Sequence, residues 1–317
     1  MSTRAAGVTE DRGRGARRRP RASAGKDGLL KHSGWFALIF LAPLLLFYGV
    51  YYLYSFGILG AVSTQQVGLT FRNAVDVGLQ NFQLVITDPA FQTSLLNTVL
   101  FGLFSVLVSL TLGFLLAMLL ASGVVFRRLF YTVFLLPSLI PMSLFATVFG
   151  RMLETKDGAL NQGLRALGLG WLAPDWLGDP AAAYIAIGIL LTYGIGLPVM
   201  YYSTDVAQVN MSIVESATLD GANVWQIYRI MLFPLLRTTH ITVTLSVILG
   251  SFRAFDVIFF STNGQPGGRT DIVGTYIYRA TTGGGQTIGF AAAASIIVLI
   301  VALAISVLQI LAKRKRS

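Results

Sequence analysis

Residues 210–236 read NMSIVESATLDGANVWQIYRIMLFPLL. The stretch lies between two long apolar runs, yet it is too polar to continue them and too apolar to be a linker. As helix, Ile213, Ala217, Gly221 and Val224 recur at three- and four-residue spacing, which makes one face small and apolar. Ser212, Glu215 and Ser216 lie near its start as cap and first-turn residues. Gly221 permits a turn or a close backbone approach. A second apolar stretch, 224–231, leads to Pro234, where a helix must end or bend. The expectation is two short helices at an angle, presenting small residues to a closely packed neighbour. An amphipathic helix lying on lipid is the alternative. Lys and Arg are scarce here, and an anionic leaflet would repel Glu215 and Asp220, so docking to a protein is favoured.

Outward from that stretch the chain is strongly apolar. Of its 317 residues, 54% are hydrophobic and 12% charged, with mean hydropathy +0.68. Soluble globular proteins carry roughly 25% charged residues, so too little polar surface remains to cover a water-soluble particle of this size, and the membrane class follows. A transmembrane helix needs roughly 20 mostly apolar residues. Six stretches qualify: 35–59, 95–120, 129–149, 181–202, 241–260 and 290–311. The first is too long for a signal-peptide core and reads as an uncleaved helix. Pro43, Pro137, Pro141 and Pro198 fall inside spans and are expected to kink them rather than break them.

The net charge of +10 is concentrated at the two ends of the chain. With both termini inside, seventeen Lys and Arg lie on the cytoplasmic side against six outside, and Arg253 lies in the membrane. That bias assigns the termini to the cytoplasm. Residues 1–34 are expected to be a basic, disordered cytoplasmic tail, 35–312 a single membrane domain, and 313–317 a basic cytoplasmic end. Arg17-Arg18-Arg19 has no interleaved aromatic residue to stack bases, so nucleic acid is not expected as a partner. The connection 151–180 carries Gly, Trp, Asp and Pro in the pattern of a small folded cap, and 205–239 is the long cytoplasmic connection.

Within 205–239, the string Glu215-Ser216-Ala217, Asp220-Gly221-Ala222 and Met231-Leu232-Phe233-Pro234 resembles the EAA motif of permease subunits in bacterial ABC importers. The family pattern is Glu-Ala-Ala, three residues, Gly, nine residues, then Ile-x-Leu-Pro. Ser216, Met231 and Phe233 depart from it conservatively. Other segments are similar to the carbohydrate-uptake branch: Asn81-Phe82, Asp88-Pro89, Phe91 and Asn97-Thr98; Phe126-Arg127-Arg128; and residues 255–270, FDVIFFSTNGQPGGRT. This last segment resembles the F-type rather than the G-type subunit of maltose permeases.

The resemblance implies an all-α, six-helix membrane permease of the ABC importer type I fold, with a coupling-helix loop that sits in a cleft of the ATPase. It assigns ATPase coupling to Glu215, Ser216, Ala217, Asp220, Gly221, Ala222, Met231 and Pro234. It also implies a second homologous permease, two ATPase subunits, an external solute-binding protein, and location in a bacterial inner membrane. The chain has no G-x-x-x-x-G-K-[ST] loop; ATP and magnesium would be held by the ATPase partners, and no cofactor or metal is expected here. Sugars are recognised by aromatic faces with polar neighbours. Tyr193, Tyr201, Phe252 and Phe255, beside Arg253, Asp256 and Asn263, are therefore the substrate-pathway candidates, with helix packing the competing role for each aromatic. Arg253 and Asp256, one helical turn apart, could pair. Arg253 could also serve a phosphate, so a glycerol-phosphate or polyol permease is an alternative, and an ion-coupled secondary transporter a more distant one.

Overall fold

The computed structural model describes residues 26–283 and 287–314. Expectations for residues 1–25 and 315–317 fall outside the described residues. The chain divides into two compact units, 1–56 and 57–317. The helix Lys26–Ser63 begins inside the segment expected to be a disordered tail. Between Lys26 and the first span only Gly28 and Gly34 disfavour helix, by about 1 kcal/mol each, and no proline intervenes. In the first unit, Phe47 and Tyr51, Tyr48 and Tyr52, and Tyr52 and Phe56 stack at four-residue spacing along this helix.

Among the described residues, four helices are long and apolar enough to cross a membrane: Leu38–Ser63, Pro89–Ala121, Pro180–Val206 and Ile288–Gln309. Counting each of two bent pairs as one span gives up to six, Arg127–Leu139 with Met142–Met152 at 94° and Val224–Leu235 with Arg237–Ser251 at 70°, the Val224–Leu235 arm belonging to the long connection 205–239. The third stretch, 129–149, is thus broken rather than kinked. Pro141 has no amide and bars the residue before it from helical geometry, and Ile140 is extended at ψ 136°. The fifth stretch, 241–260, is interrupted as well, into Arg237–Ser251 and Phe255–Ser261. There the Ser251 hydroxyl donates to the Ile248 carbonyl, and the amides of Arg253 and Ala254 reach back three residues instead of four. The turn tightens and the helix stops without Gly or Pro in the break.

At one end of the second unit a hairpin, Gln65–Gln66 paired with Val75–Asp76, leads into the helix Gln80–Thr87. The buried Asn81 amide donates to the carbonyls of Ser63 and Gln65. Asp88 caps the helix Pro89–Val108 by accepting from Ala90 N and takes a hydrogen bond from the Tyr276 hydroxyl. Val85, Phe91, Tyr276, Ala280 and Phe290 form the core there. Residues 151–180 make a folded cap: buried Asn161 donates to the carbonyls of Thr155 and Pro174 and accepts from Trp176 Nε1. Asp175 accepts from Thr155 and Gly178, which holds its carboxyl below the usual range.

The segment 262–273 is fixed to the same end. Asn97, 1% exposed, donates to the carbonyls of Arg269 and Asp271 and accepts from the Tyr184 hydroxyl. Asp271 pairs with Arg279 and accepts from Thr275. Burial pushes the Asp271 carboxyl up, and those two partners pull against it. At the opposite end, Phe114, Ala117, Met118, Tyr202, Ile227, Leu232, Leu236 and Val243 form a separate core beneath residues 210–236.

Candidate functional site

Residues 210–236 fold as two short helices joined by a tight turn. The first cap is Asn210, whose side chain accepts from Ser212 N at 3.1 Å and opens the helix Met211–Leu219. Ser212 and Ser216 do not cap it; the Ser216 hydroxyl bonds back to the Ser212 carbonyl. The helix closes with Ala222 N on Ala217 O and Gly221 N on Thr218 O. This double closure requires a left-handed residue, and Gly221 supplies it at φ 84°. Asn223 and Gln226 then form a reciprocal capping box, each side chain bonding the other's amide. The second helix runs from Val224 to Leu235 with a π-helical segment, Ile227–Leu232; Pro234 lies inside its last turn, and the chain bends at Leu236.

One helical wheel does not pass through this turn. Val214, Ala217, Ala222, Tyr228 and Met231 pack inward on the core, and the Tyr228 hydroxyl reaches Met118 O at 3.4 Å. Ile213 and Val224, expected on one face with Ala217, are exposed instead: the first helix packs inward through Val214 and Ala217, and the reversal at Gly221 changes the phase for Val224. Of the eight residues assigned to this loop, Glu215, Ser216, Asp220, Gly221 and Pro234 are exposed, whereas Ala217, Ala222 and Met231 anchor it. Sequence reasoning passed over three large apolar side chains that share the exposed surface: Leu219 (89% exposed), Trp225 (60%) and Ile230 (67%). A tryptophan among polar neighbours was the available signal.

The loop is tied rigidly to the spans beneath it. His240 Nε2 lies 2.8 Å from the Phe233 carbonyl, which can only accept, so Nε2 carries the proton. Nδ1 therefore accepts from the Tyr202 hydroxyl at 2.6 Å. Thr239 donates to Asp205 beside it. Both helices of the bend are thus held to the end of the fourth span. Tyr202 is fully buried and stacks edge-on against Phe114, so it is a packing residue.

The substrate-pathway candidates separate. Arg253 and Asp256 line a cavity of about 280 Å³ at the interruption of the fifth stretch, together with Ser105, Ser109, Ser251 and Gly194. They make no ion pair; among the described residues the pairs are Arg151–Glu154 and Arg279–Asp271. The break after Ser251 removes the regular turn that pairing needed. A charged side chain within a span is costly unless it pairs or lines a water-filled cavity, and these two line a cavity. Tyr193 packs on Phe145 and donates to Ile140 O, Phe255 stacks on Phe259, and the Asn263 carbonyl accepts from Arg279 at the hairpin end. Phe252 lies in the break and Tyr201 is on the exposed side of its helix; neither lines the cavity. Ser105 and Ser109, four residues apart on the second span, were legible as a polar stripe but were not read as one.

Residues 109–317 match the family described as binding-protein-dependent transport system inner membrane component. A probable ABC transporter permease of Pyrococcus horikoshii is 31% identical, the alignment covering 85% of this chain and 92% of that one. The lactose transport system permease LacF of Rhizobium radiobacter is 27% identical over 90% of this chain and 95% of its own. A crystal structure of a bacterial ABC transporter involved in import of the acidic polysaccharide alginate superposes with a TM-score of 0.75. It is 22% identical and covers 91% of this chain and 99% of that one, a likeness of fold alone.

Proposed function

The chain belongs to the binding-protein-dependent transport system inner membrane components, the multi-pass permease subunits of ABC importers, and we propose that it carries a sugar or sugar-like solute inward across the cytoplasmic membrane. The relatives named for lactose, starch degradation products and multiple sugars support that substrate class. In this reading both termini and residues 210–236 face the cytoplasm. Two ATPase subunits bind ATP and magnesium, a second homologous permease completes the pathway, and an external binding protein delivers the solute. The Arg253–Asp256 cavity is this chain's share of the pathway. The observation that carries the reading is the double-capped loop 210–236, anchored from below and holding Leu219, Trp225 and Ile230 outward among polar side chains. Large apolar side chains held outward on a locally capped fold are what a docking partner requires.

The test is Gly221→Asp in vesicles holding the whole transporter. No atom lies within 4 Å of a Cβ added at Gly221, and the left-handed backbone costs a non-glycine about 1 kcal/mol, so folding and insertion survive. Bulk and charge in a closely packed contact should reduce solute uptake to background. Gly123→Asp is the control, also at positive φ in open space but in the other turn at this end; it should transport normally. Normal uptake by Gly221→Asp would remove the coupling assignment.

A further inference from the structure

A groove of about 520 Å³ lies beside the same end of the bundle, lined by Arg127, Arg128, Tyr131, Thr132, Ser203 and Thr204. It is formed by the first turns of the helix Arg127–Leu135 and the last turns of the fourth span. No acidic side chain lines it, and neither guanidinium has an ion-pair or hydrogen-bond partner among the described residues. Thr132 and Thr204 donate to their own helices, at Arg128 O and Met200 O. The donors left for a ligand are the two arginines, the Tyr131 phenol and Ser203. Ser203 Oγ is buried without a hydrogen-bond partner, a condition that a ligand oxygen or water reaching it would relieve. The Arg127–Leu135 helix is two-faced. Its groove side carries Arg127, Arg128, Tyr131 and Thr132, while Leu129, Phe130 and Val133 stand exposed on the other side, with Leu136 just beyond it.

We propose that this groove holds the phosphate of an anionic glycerophospholipid, whose acyl chains lie along the exposed Leu129, Val133 and Leu136. A phosphodiester offers two oxygens that arginine binds in bidentate fashion. A basic pocket between helices at the membrane edge suits that headgroup, and the exposed apolar side chains suit the tails. The shared chemistry is phosphate; the exposed Leu129, Val133 and Leu136 on the opposite flank of the same helix select a lipid over a free anion. The proposal needs only a membrane-spanning chain and is independent of solute and of ATPase coupling.

The full chain, purified in detergent, is titrated with phosphatidylglycerol or phosphatidylcholine, and bound lipid is read by native mass spectrometry alongside the unfolding midpoint. Phosphatidylglycerol should be retained in preference and raise the midpoint; phosphatidylcholine should not. Arg127→Gln with Arg128→Gln should weaken phosphatidylglycerol about thirtyfold, at roughly a factor of five for each arginine lost. Thr204→Phe keeps both charges but fills the groove, and should also release the lipid while leaving the midpoint in phosphatidylcholine unchanged. Equal retention of the two lipids, or retention by both variants, overturns the proposal. Displacement by millimolar inorganic phosphate would make this a free-anion site and overturn the lipid assignment. Cross-linking of Ser203→Cys to another protein in native membranes would make the groove a subunit contact, with the same consequence.

Discussion

At the hairpin end, Asn81, Asn97, Asp271 and Thr275 are buried, and each has its partners within the chain. At the 210–236 end the backbone is equally well satisfied, by Asn210, Gly221 and the Asn223–Gln226 box, but the large side chains of Leu219, Trp225 and Ile230 are left outside. The first region pairs these buried polar groups internally, although Ser94 Oγ stays unpartnered and Leu69, Phe71 and Leu79 stand exposed beside it. The second has few buried polar side chains to pair, and its exposed apolar side chains sit on a locally capped loop. Glycine marks the contrast. A Cβ at Gly289 would collide with the Gln65 carbonyl oxygen, whereas one at Gly221 meets nothing within 4 Å. One glycine lets the chain approach itself, and the other leaves room for something else.

That contrast breaks most visibly at Gly289. Gly289→Ala must push backbone against backbone, and a loss of about 3 kcal/mol or more is expected, read as collapse of the monodisperse peak in detergent chromatography. An unchanged peak and midpoint would mean the hairpin end is not close-packed. Asn97→Ala comes next. It strands the Asp271 carbonyl, while the Tyr184 hydroxyl and the Arg269 carbonyl keep each other, for about 2 kcal/mol of stability, measurable as a lowered unfolding midpoint. At the other end the loss should move from stability to association. Trp225→Ala is expected to leave the midpoint unchanged while weakening ATPase co-purification by about 2 kcal/mol, the scale of an interface anchor. If the midpoint falls instead, Trp225 serves the fold and the contrast weakens. Glu215→Lys should have the smallest effect, at most about 1 kcal/mol for an exposed ion pair, seen as a partial fall in uptake that added salt reproduces in the unmutated transporter.

The two ends also differed in how far the sequence disclosed them. Apolar runs gave the number of spans, since burial in lipid demands length and composition that nothing else in the chain shares. The Gly221 turn was legible because it is dictated by one residue's backbone chemistry; the bend expected at Pro234 falls two residues on, at Leu236, with Pro234 inside the helix. The break at 252–254 was not, because it is made by a serine hydroxyl and shortened amide bonds, with no proline or glycine among those three residues. Arg253 and Asp256 were singled out as charges within a span, but the pairing expected of them is absent, since a regular turn was assumed where the helix stops. Of the seven pathway candidates, the aromatics were the least informative, because Tyr193 and Phe255 satisfy packing as readily as recognition.

The second span contains a π-helical turn, Ser109–Gly113. Upstream, the buried side follows Phe91, Ser94, Asn97, Thr98, Phe101 and Gly102; downstream it resumes at Phe114, Ala117 and Met118. At 3.6 residues per turn, an uninterrupted helix would have brought residues 112, 116 and 119 to that side. Leu112 and Leu119 are exposed. The π turn therefore houses one surplus residue and returns the helix to its original phase. Loss of a single residue between 109 and 113 would restore a plain α-helix and leave both halves facing as they do now. The same loss anywhere else in the helix would swing everything beyond it by about 100°. Relatives whose second span differs by one residue between its two buried halves can share this packing only if the difference falls within those five positions.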